Sequence, residues 1–115
     1  MMLNDRLKML VDDIPKQICG VYYMLNDQGE IIYIGKSIDI RKRILQHFKS
    51  THKKEVKLQH FTHSITYENT GNELIALLRE SELIKSHLPL FNRAQRKVKY
   101  FYALYKKVIW MDILL

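Results

Sequence analysis

Residues 18–37 read ICGVYYMLNDQGEIIYIGKS, and the prediction of the fold starts from this segment. Residues 18–25 and 30–35 are rich in β-branched and aromatic side chains, so each segment predicts a strand. Between them, residues 26–29 have the composition of a tight turn, in which Gly29 suits the left-handed backbone position. The stretch therefore predicts an antiparallel β-hairpin.

A four-residue loop would place Leu25 opposite Glu30 and, counting back along both strands, Tyr22 directly opposite Tyr33. Opposed residues share one face of a sheet. One predicted face carries Gly20, Tyr22, Met24, Ile31, Tyr33 and Gly35, and the second, drier face carries Val21, Tyr23, Leu25, Ile32 and Ile34. Two facing tyrosines are in most cases only an aromatic cross-strand pair, so this pair alone predicts no chemistry.

The periodicity of the remaining chain predicts helices around the hairpin. Helices are expected over residues 2–12, 38–48 and 53–61, with Ser37 or Asp39 as the cap of the second. Thr70 and Glu73 match a capping box before a helix that reaches about His87 and stops at Pro89. Residues 64–68 and, less clearly, 99–110 predict further strands. The expected class is α+β: a small, mostly antiparallel sheet of three to four strands flanked by helices.

Length and charge narrow the classes of protein. The 115 residues fit one domain, 1–115, with a core at about 18–95 and a basic, aromatic extension at 96–115. The net charge of +7 favours a polyanionic partner. A single cysteine, Cys19, excludes a disulfide scaffold and is expected to be a buried, inert thiol. No stretch is long and apolar enough to span a membrane, and residues 1–10 do not resemble a signal peptide. These features favour a cytoplasmic protein.

A basic helix face follows the hairpin directly. The predicted helix over 38–48 carries Arg41, Lys42, Arg43 and His47. Arg43 and His47 are four positions apart, so they can converge on one ligand. Such a face is ordinarily a solvated surface, but this one begins beside the two tyrosines.

Glu80 is the second unusual position. Helical geometry places it among Ala76, Leu77, Leu83 and Ile84, whereas Glu82 falls on the solvated side of the same helix. A carboxylate with apolar neighbours is costly unless it is paired or binds a cation. Two interpretations remain open at this point: a salt bridge to an arginine of the first helix, or a ligand for Mg²⁺, which takes few protein carboxylates.

The order of these residues resembles the GIY-YIG nuclease superfamily. Gly20-Val21-Tyr22 and Tyr33-Ile34-Gly35 correspond to its two tripeptides. The resemblance extends to Lys36, Arg43, His47, Glu80 and Asn92 and covers residues 18–95. The chain looks most similar to bacterial versions related to the excision-repair incision subunit or appended to proofreading-type exonuclease subunits.

The resemblance implies a metal-dependent phosphodiester hydrolase. Tyr22 would accept the proton of the attacking water, while Tyr33 orients the water or the phosphate. Arg43 would stabilise the transition-state charge, and Glu80 would bind one Mg²⁺ or Mn²⁺ ion. Asn92 would orient Glu80 or a phosphate, and His47 would act as an acid–base partner or a phosphate contact. Because Lys36, Arg43 and His47 are cationic or can become so, we expect them to lower the pKa of Tyr22.

Further basic residues are predicted to contact DNA. No acidic residue occurs between Leu83 and Met111. Phosphate contacts are expected from Arg41, Lys42, Arg93, Arg96, Lys97 and Lys99. Phosphate contacts position a protein on DNA but do not recognise its base sequence. No segment is suited to reading bases, so sequence-specific cleavage is not expected.

The sequence thus favours a structure- or lesion-directed DNA endonuclease, bacterial, cytoplasmic and nucleoid-associated, that acts with other repair or replication proteins. The alternative is a catalytically silent nucleic-acid-binding or docking module of a larger protein. A membrane-surface domain fits poorly, because no helix combines a wide apolar face with a lysine-rich one. Zinc at His60 and His63 is not expected, because further ligands are lacking.

Overall fold

A computed structural model of the chain describes residues 5–92. The elements, in chain order, are α1 (Asp5–Asp12), β1 (Gly20–Leu25), β2 (Ile31–Ser37), α2 (Ile40–Lys49), α3 (Lys53–Phe61), β3 (Ser64–Asn69) and α4 (Glu73–His87). Every helix and strand predicted within this range is therefore confirmed in type. The predicted strand over 99–110, the extension 96–115 and the basic residues from Arg93 onward lie outside the described residues.

The three strands form one antiparallel sheet in the order β2-β1-β3, so β1 is the central strand. Helices cover both faces of this sheet, which confirms the predicted α+β class. On one face, α1, α2 and α3 enclose Tyr22, Met24 and Tyr33 in the larger core. On the other face, α4 packs Ala76, Leu83 and Ile84 against Val21 and Ile34.

The predicted register of the hairpin is wrong. Tyr22 pairs with Gly35, and Met24 pairs with Tyr33. The loop closes one residue further out than expected, because the Asn26 N–H donates to the Glu30 carbonyl at 2.9 Å. The Asn26 side chain stabilises this loop, since its Oδ1 also accepts from the Glu30 N–H at 2.9 Å. Gly29 has a φ of 77°, as the turn composition predicts.

A β-bulge adds a second shift to the register. Leu25 pairs with Ile31, but Met24 already pairs with Tyr33, so Ile32 is the extra residue on β2. The two shifts together amount to an even number of residues, so Tyr22 and Tyr33 still share one face. The bulge exchanges the predicted faces of the two isoleucines: Ile32 belongs to the larger core, and Ile31 packs with the α4 side.

The helix caps follow the sequence in one case and depart from it in the other. Asp39, one of the two predicted candidates, caps α2 by accepting from the Lys42 N–H at 3.3 Å. The cap of α4 is Asn72, which accepts from the Ile75 N–H at 2.8 Å, so the capping box starting at Thr70 is wrong. Gly71 has a φ of 75°, and the chain therefore turns there before the helix can begin.

Two smaller expectations have mixed outcomes. Cys19 is only half-buried and precedes β1 instead of lying within it. Its carbonyl accepts the Thr70 and Gly71 N–H groups at 3.0 and 3.3 Å, so the residue joins the start of β1 to the loop before α4. None of the helices within residues 5–92 has the length and apolar character needed to cross a membrane.

Candidate active site

Tyr22 occupies the centre of the candidate site. It lies on the central strand, and only 1% of its surface is exposed. Its hydroxyl is 2.8 Å from Nε2 of His47, which α2 presents to the same face of the sheet. The Tyr33 ring completes a cluster of three rings, with centroids 6.2 Å from Tyr22 and 5.3 Å from His47. The structure therefore brings together three of the residues that the sequence predicted for the site.

Two glycines allow close approaches, one beside the ring cluster and one within the sheet. A Cβ added at Gly35 would overlap the Cζ and Oη atoms of Tyr22, because Gly35 is its cross-strand neighbour. A Cβ added at Gly20 would overlap the Glu68 carbonyl of β3. Both tripeptides therefore need glycine, because any larger side chain would clash. Gly35 leaves room for the Tyr22 ring, and Gly20 leaves room for the backbone of β3 to pair with β1.

Arg43 and Glu80 both act electrostatically on Tyr22. The positive charge of Arg43 lowers the pKa of the phenol, and the negative charge of Glu80 raises it. Arg43 is exposed on α2, with its Nη1 donating to Gln46 Oε1 at 3.1 Å. Glu80 is only 4% exposed on α4. The cation of Arg43 and the anion of Glu80, both distant from Tyr22 in the sequence, therefore lie within electrostatic range of the buried phenol.

The expected lowering of the Tyr22 pKa is wrong. Burial raises the pKa of Tyr22 well above 10.0, and the neighbouring Tyr33 and Glu80 raise it further. Arg43 opposes this shift but does not overcome it. The physical reason is desolvation. A buried phenolate loses the stabilisation that water gives its negative charge, and the attraction of one nearby cation is smaller than this loss.

Lys36 does not join the phenol cluster. It pairs with Val21, one position beyond the pair of Tyr22 and Gly35. Because side chains alternate along a strand, Lys36 lies on the opposite face from Tyr22. That face packs against α4, the helix that carries Glu80. The half-buried Lys36 is thus on the side of the sheet from which the carboxylate comes.

The surroundings of Glu80 largely match the prediction. Ala76, Leu83 and Ile84 are buried, whereas Leu77, also expected beside Glu80, is 46% exposed. Glu82 lies on the outer side of α4 and accepts from Arg79 at 3.0 Å. Arg6, the arginine of α1, donates to the carbonyls of Gln59 and Thr62.

Asn92 has partners different from those expected. Its Oδ1 accepts from the Ile34 N–H, and its Nδ2 donates to the Ile34 carbonyl, both at 2.8 Å. Since β2 is an edge strand, the amide takes the place that a neighbouring strand would occupy. Asn92 is only 1% exposed, so its side chain holds β2 in position from within the fold.

Glu55 is a site residue that the sequence reasoning missed. Its Oε2 is 2.6 Å from Nδ1 of His47, on the opposite side of the ring from Tyr22. Burial raises the pKa of Glu55. The hydrogen bond from His47 and the electrostatic attraction of His47, Arg43 and His52 outweigh burial, so the net pKa is lowered. No local pattern identifies Glu55, because its contact depends on how α3 packs against α2.

The basic residues of α2 differ in their surroundings. Arg41 forms an ion pair with Asp12 of α1 at 3.2 Å, so its charge is partly compensated within the chain. Lys42 is exposed, and so is Arg43. Both cations are accessible to a phosphate in solvent, and Arg43 also acts electrostatically on Tyr22.

The described residues contain no multidentate metal cluster. Within residues 5–92, no group of three or more His, Cys, Asp or Glu side chains could hold a metal ion. Glu80, a single buried carboxylate, fits the hard, water-rich coordination of Mg²⁺ and not a closed protein cage.

The comparisons with known proteins define the class. The family described as the UvrC-like GIY-YIG domain matches residues 18–93. The chain belongs to this family.

Curated relatives and solved structures carry the same assignment. "UvrABC system protein C" of Alkaliphilus oremlandii is 44% identical over 77 residues, which cover 64% of this chain and 12% of that protein. The Hydrogenobaculum protein of the same name is 42% identical over 85 residues, covering 72% and 15% respectively. The chain thus spans less than a sixth of the length of these relatives.

A solved structure shares the fold. The GIY-YIG N-terminal endonuclease domain of UvrC from Thermotoga maritima, bound to magnesium as its catalytic divalent cation, superposes with a TM-score of 0.68 at 22% identity. The match covers 77% of this chain and 98% of that one. The likeness supports the α+β fold and the sheet topology described above.

Proposed function

We propose that this chain is a divalent-metal-dependent endonuclease module that hydrolyses phosphodiester bonds in DNA, directed by DNA structure or by a lesion. One observation carries the proposal: the buried phenol of Tyr22 lies within hydrogen-bond distance of His47 and in the electrostatic field of both Arg43 and Glu80. A proton acceptor, a guanidinium and a metal-binding carboxylate are the groups that hydrolysis of a phosphodiester needs.

Tyr22 begins the proton path. Its raised pKa makes a free phenolate scarce at neutral pH, so Tyr22 cannot act as a preformed base. The neutral hydroxyl can nevertheless accept a proton from the attacking water while it passes its own proton to Nε2 of His47, 2.8 Å away. Tyr33, packed against both rings, would orient the water or the phosphate.

Arg43 supplies positive charge for the transition state. Its side chain is exposed, and it acts electrostatically on both Tyr22 and Glu55. A planar guanidinium can form two parallel hydrogen bonds to phosphate oxygens. Arg43 would therefore stabilise the negative charge that accumulates on the phosphoryl oxygens as water adds.

Glu80 would hold the metal ion. The site offers one buried carboxylate, and Mg²⁺ in proteins commonly takes one or two carboxylates together with waters and substrate phosphate. A bound Mg²⁺ or Mn²⁺ ion would supply Lewis-acid stabilisation of the leaving 3′ oxygen. Lys36, on the face of the sheet that packs against α4, would contribute positive charge for a phosphate on that side.

The wider setting follows from charge and from the relatives. A net charge of +7 and the exposed Lys42 and Arg43 favour a nucleic-acid backbone as the partner. Arg93, Arg96, Lys97 and Lys99 would extend this contact. The relatives named UvrABC system protein C support a role in DNA repair. The proposed setting is the bacterial cytoplasm, together with other repair proteins.

The test is nicking of supercoiled plasmid DNA by the full chain with Mg²⁺ or Mn²⁺, and with chelator. We expect metal-dependent nicking by the wild type and its loss in Glu80→Ala, with DNA affinity unchanged in a fluorescence-anisotropy titration. Glu82→Ala is the matched control, because Glu82 lies on the outer side of the same helix and pairs only at the surface.

The proposal of an enzyme would be overturned if the chain binds DNA but does not nick it. This outcome would have to hold for plain, branched, flapped, bulged and lesion-bearing DNA. That result would instead support the second candidate, a silent binding or docking module. Equal loss in Glu80→Ala and Glu82→Ala would show that α4 was merely perturbed. Among active outcomes, the preferred substrate of the panel identifies the structure or lesion that directs the cut.

A further inference from the structure

Glu55 links the buried site to the surface of the molecule. His47 is 1% exposed at its side chain, whereas the Glu55 side chain is 20% exposed. The carboxylate contributes to an open surface depression that is also lined by Ser50, His52 and Lys54. Glu55 therefore lies between the imidazole and solvent, at the end of a chain of hydrogen bonds that starts at Tyr22.

The packing of α3 holds Glu55 in this place. Leu58, one turn further along α3, is buried in the larger core. Gln59 then donates to the carbonyls of His47 and Ser50, at 2.7 and 2.9 Å, at the C-terminal end of α2. These contacts fix α3 against the part of α2 that carries His47. The contact between Glu55 and His47 is therefore held in place by the packing of α3 against α2.

The chemistry of a carboxylate sets the direction of the hydrogen bonds. An ionised carboxylate can only accept, so Nδ1 of His47 must donate to Glu55. When one ring nitrogen of a neutral imidazole carries the proton, the other is an acceptor. Nε2 is then free to accept from the Tyr22 hydroxyl, which donates its own hydrogen and keeps its lone pairs for another proton.

We propose that Glu55 is a positioning residue for the nuclease reaction, because it holds His47 in the Nδ1–H tautomer with Nε2 directed at the Tyr22 hydroxyl. The proposal rests on the proposed function, and it adds a third member, supplied by α3, to the pair of Tyr22 and His47. Glu55 touches neither substrate nor metal in this role and acts only through His47.

The proton balance is complete along this path. As the water oxygen forms its bond to phosphorus, the bond from phosphorus to the 3′ oxygen breaks, and the leaving oxygen takes a proton from solvent. The O–H bond of the attacking water breaks as well, and its proton moves to the Tyr22 oxygen. The Tyr22 O–H bond breaks in turn, and that proton forms a bond to Nε2 of His47. The product is an imidazolium whose Nδ1–H still donates to Glu55, and the carboxylate offsets its new positive charge. The charges that surround His47 and Glu55 also include Arg43 and His52, and the neutral Tyr33 ring packs beside the imidazole.

The first arm of the test reads the His47 nitrogens directly. In a metal-free, DNA-free sample of the full chain, labelled with ¹⁵N-histidine and near neutral pH, long-range ¹H–¹⁵N spectra distinguish protonated from unprotonated ring nitrogens. A His47→Gln variant identifies the resonances of this residue. We expect a protonated Nδ1 and an unprotonated Nε2 in the wild type, and loss of that pattern in Glu55→Gln.

The second arm measures single-turnover nicking. Glu55→Gln keeps the size of the side chain but removes the charge, and we expect it to lower the maximal rate about 10- to 100-fold. The enzyme concentration that gives half-maximal rate should not change, since Glu55 is not part of the DNA contact. Glu55→Ala should fall at least as far. Glu73→Gln is the charge-matched control, because Glu73 is an exposed glutamate of α4.

The two arms together decide the proposal. It is supported only if Glu55→Gln changes both the tautomer and the maximal rate, and a change in one alone overturns it. It is equally overturned if the wild type carries the proton on Nε2 of His47. Failure of the wild type to nick any DNA would sink the proposed function instead, and the spectra would still show whether Glu55 sets the tautomer.

Discussion

At the scale of single residues, Tyr22 shows how burial changes the chemistry of a side chain. A tyrosine in water ionises near pH 10, and cations beside it would lower its pKa. Here the cation is present in Arg43, yet desolvation dominates and the pKa is raised. In the proposed reaction the neutral phenol still transfers a proton, because Nε2 of His47 lies 2.8 Å from its oxygen.

Replacing Tyr22 by phenylalanine removes this proton path while keeping the ring. We expect Tyr22→Phe to lower the single-turnover rate of nicking by more than about 100-fold, the scale of general acid–base catalysis. Binding of DNA, measured by anisotropy, should be retained. A loss of 100-fold or less would contradict the role of Tyr22 as the proton acceptor.

Tyr23→Phe serves as the matched control for this substitution. Tyr23 is the next residue of β1, so its side chain lies on the opposite face of the sheet. Its hydroxyl donates to Glu68 at 3.3 Å, away from His47. We expect a rate close to that of the wild type for this variant.

At the scale of elements, β2 depends on a side chain from another part of the chain. It is an edge strand, with β1 on one side and the amide of Asn92 on the other. Gly35 and Tyr33 flank Ile34, the residue that Asn92 holds. The segment after Pro89 therefore fixes the strand that carries Tyr33, one of the three rings of the cluster.

Removal of this amide should destabilise the fold. In Asn92→Ala, the N–H and carbonyl of Ile34 lose their partners in a buried environment, and each unsatisfied group costs about 1–3 kcal/mol. We expect the free energy of unfolding, measured by urea denaturation followed by circular dichroism, to fall by about 2–4 kcal/mol.

The control for Asn92 is another asparagine with a single exposed bond. The side chain of Asn69 accepts from the Gly71 N–H at 3.0 Å at the surface. Asn69→Ala should therefore lower the free energy of unfolding by less than about 1 kcal/mol. Equal effects of the two substitutions would show that Asn92 contributes no more than an exposed turn residue.

At the scale of the whole molecule, the site exists only because the sheet has helices on both faces. The larger core brings α2 and α3 to Tyr22 from one side, and α4 brings Glu80 from the other. The buried phenol at their junction then links the site to global stability, since a group ionises more readily wherever it is solvated.

This linkage predicts a loss of stability at alkaline pH. Below pH 10, Tyr22 keeps its proton in both the folded and the unfolded chain. Above it, the unfolded phenol ionises while the folded one stays protonated, so the unfolded state binds fewer protons and stability falls as pH rises. The Tyr22 contribution to this fall should approach about 1.4 kcal/mol per pH unit.

The measurement compares urea unfolding of the wild type and Tyr22→Phe from about pH 9.5 to pH 11. Because lysines and the other tyrosines titrate in both proteins, only the difference between the two slopes reports on Tyr22. Tyr23, whose pKa is also raised by burial and by Glu68, remains in both chains. Parallel slopes would mean that Tyr22 is not buried in solution.

The local patterns of this sequence predict much of the fold. The strand propensity of the segments on either side of residues 26–29 is sufficient to predict the hairpin. The periodic spacing of apolar residues is sufficient to predict the helices. The two tripeptides and the five further positions in register with them predict the family, and the family match over residues 18–93 confirms it. The hairpin and the helices depend mainly on residues that are close together in the chain, so local sequence patterns can predict them.

The assembled fold determines the register of the hairpin, the pKa of Tyr22 and the partners of His47 and Asn92. The register depends on where Asn26 closes the loop and on the bulge at Ile32, which propensities do not encode. The raised pKa of Tyr22 depends on how completely helices exclude water from it. The contact between Glu55 and His47 depends on the packing of two helices, because atoms of side chains on different elements meet only once those elements are assembled.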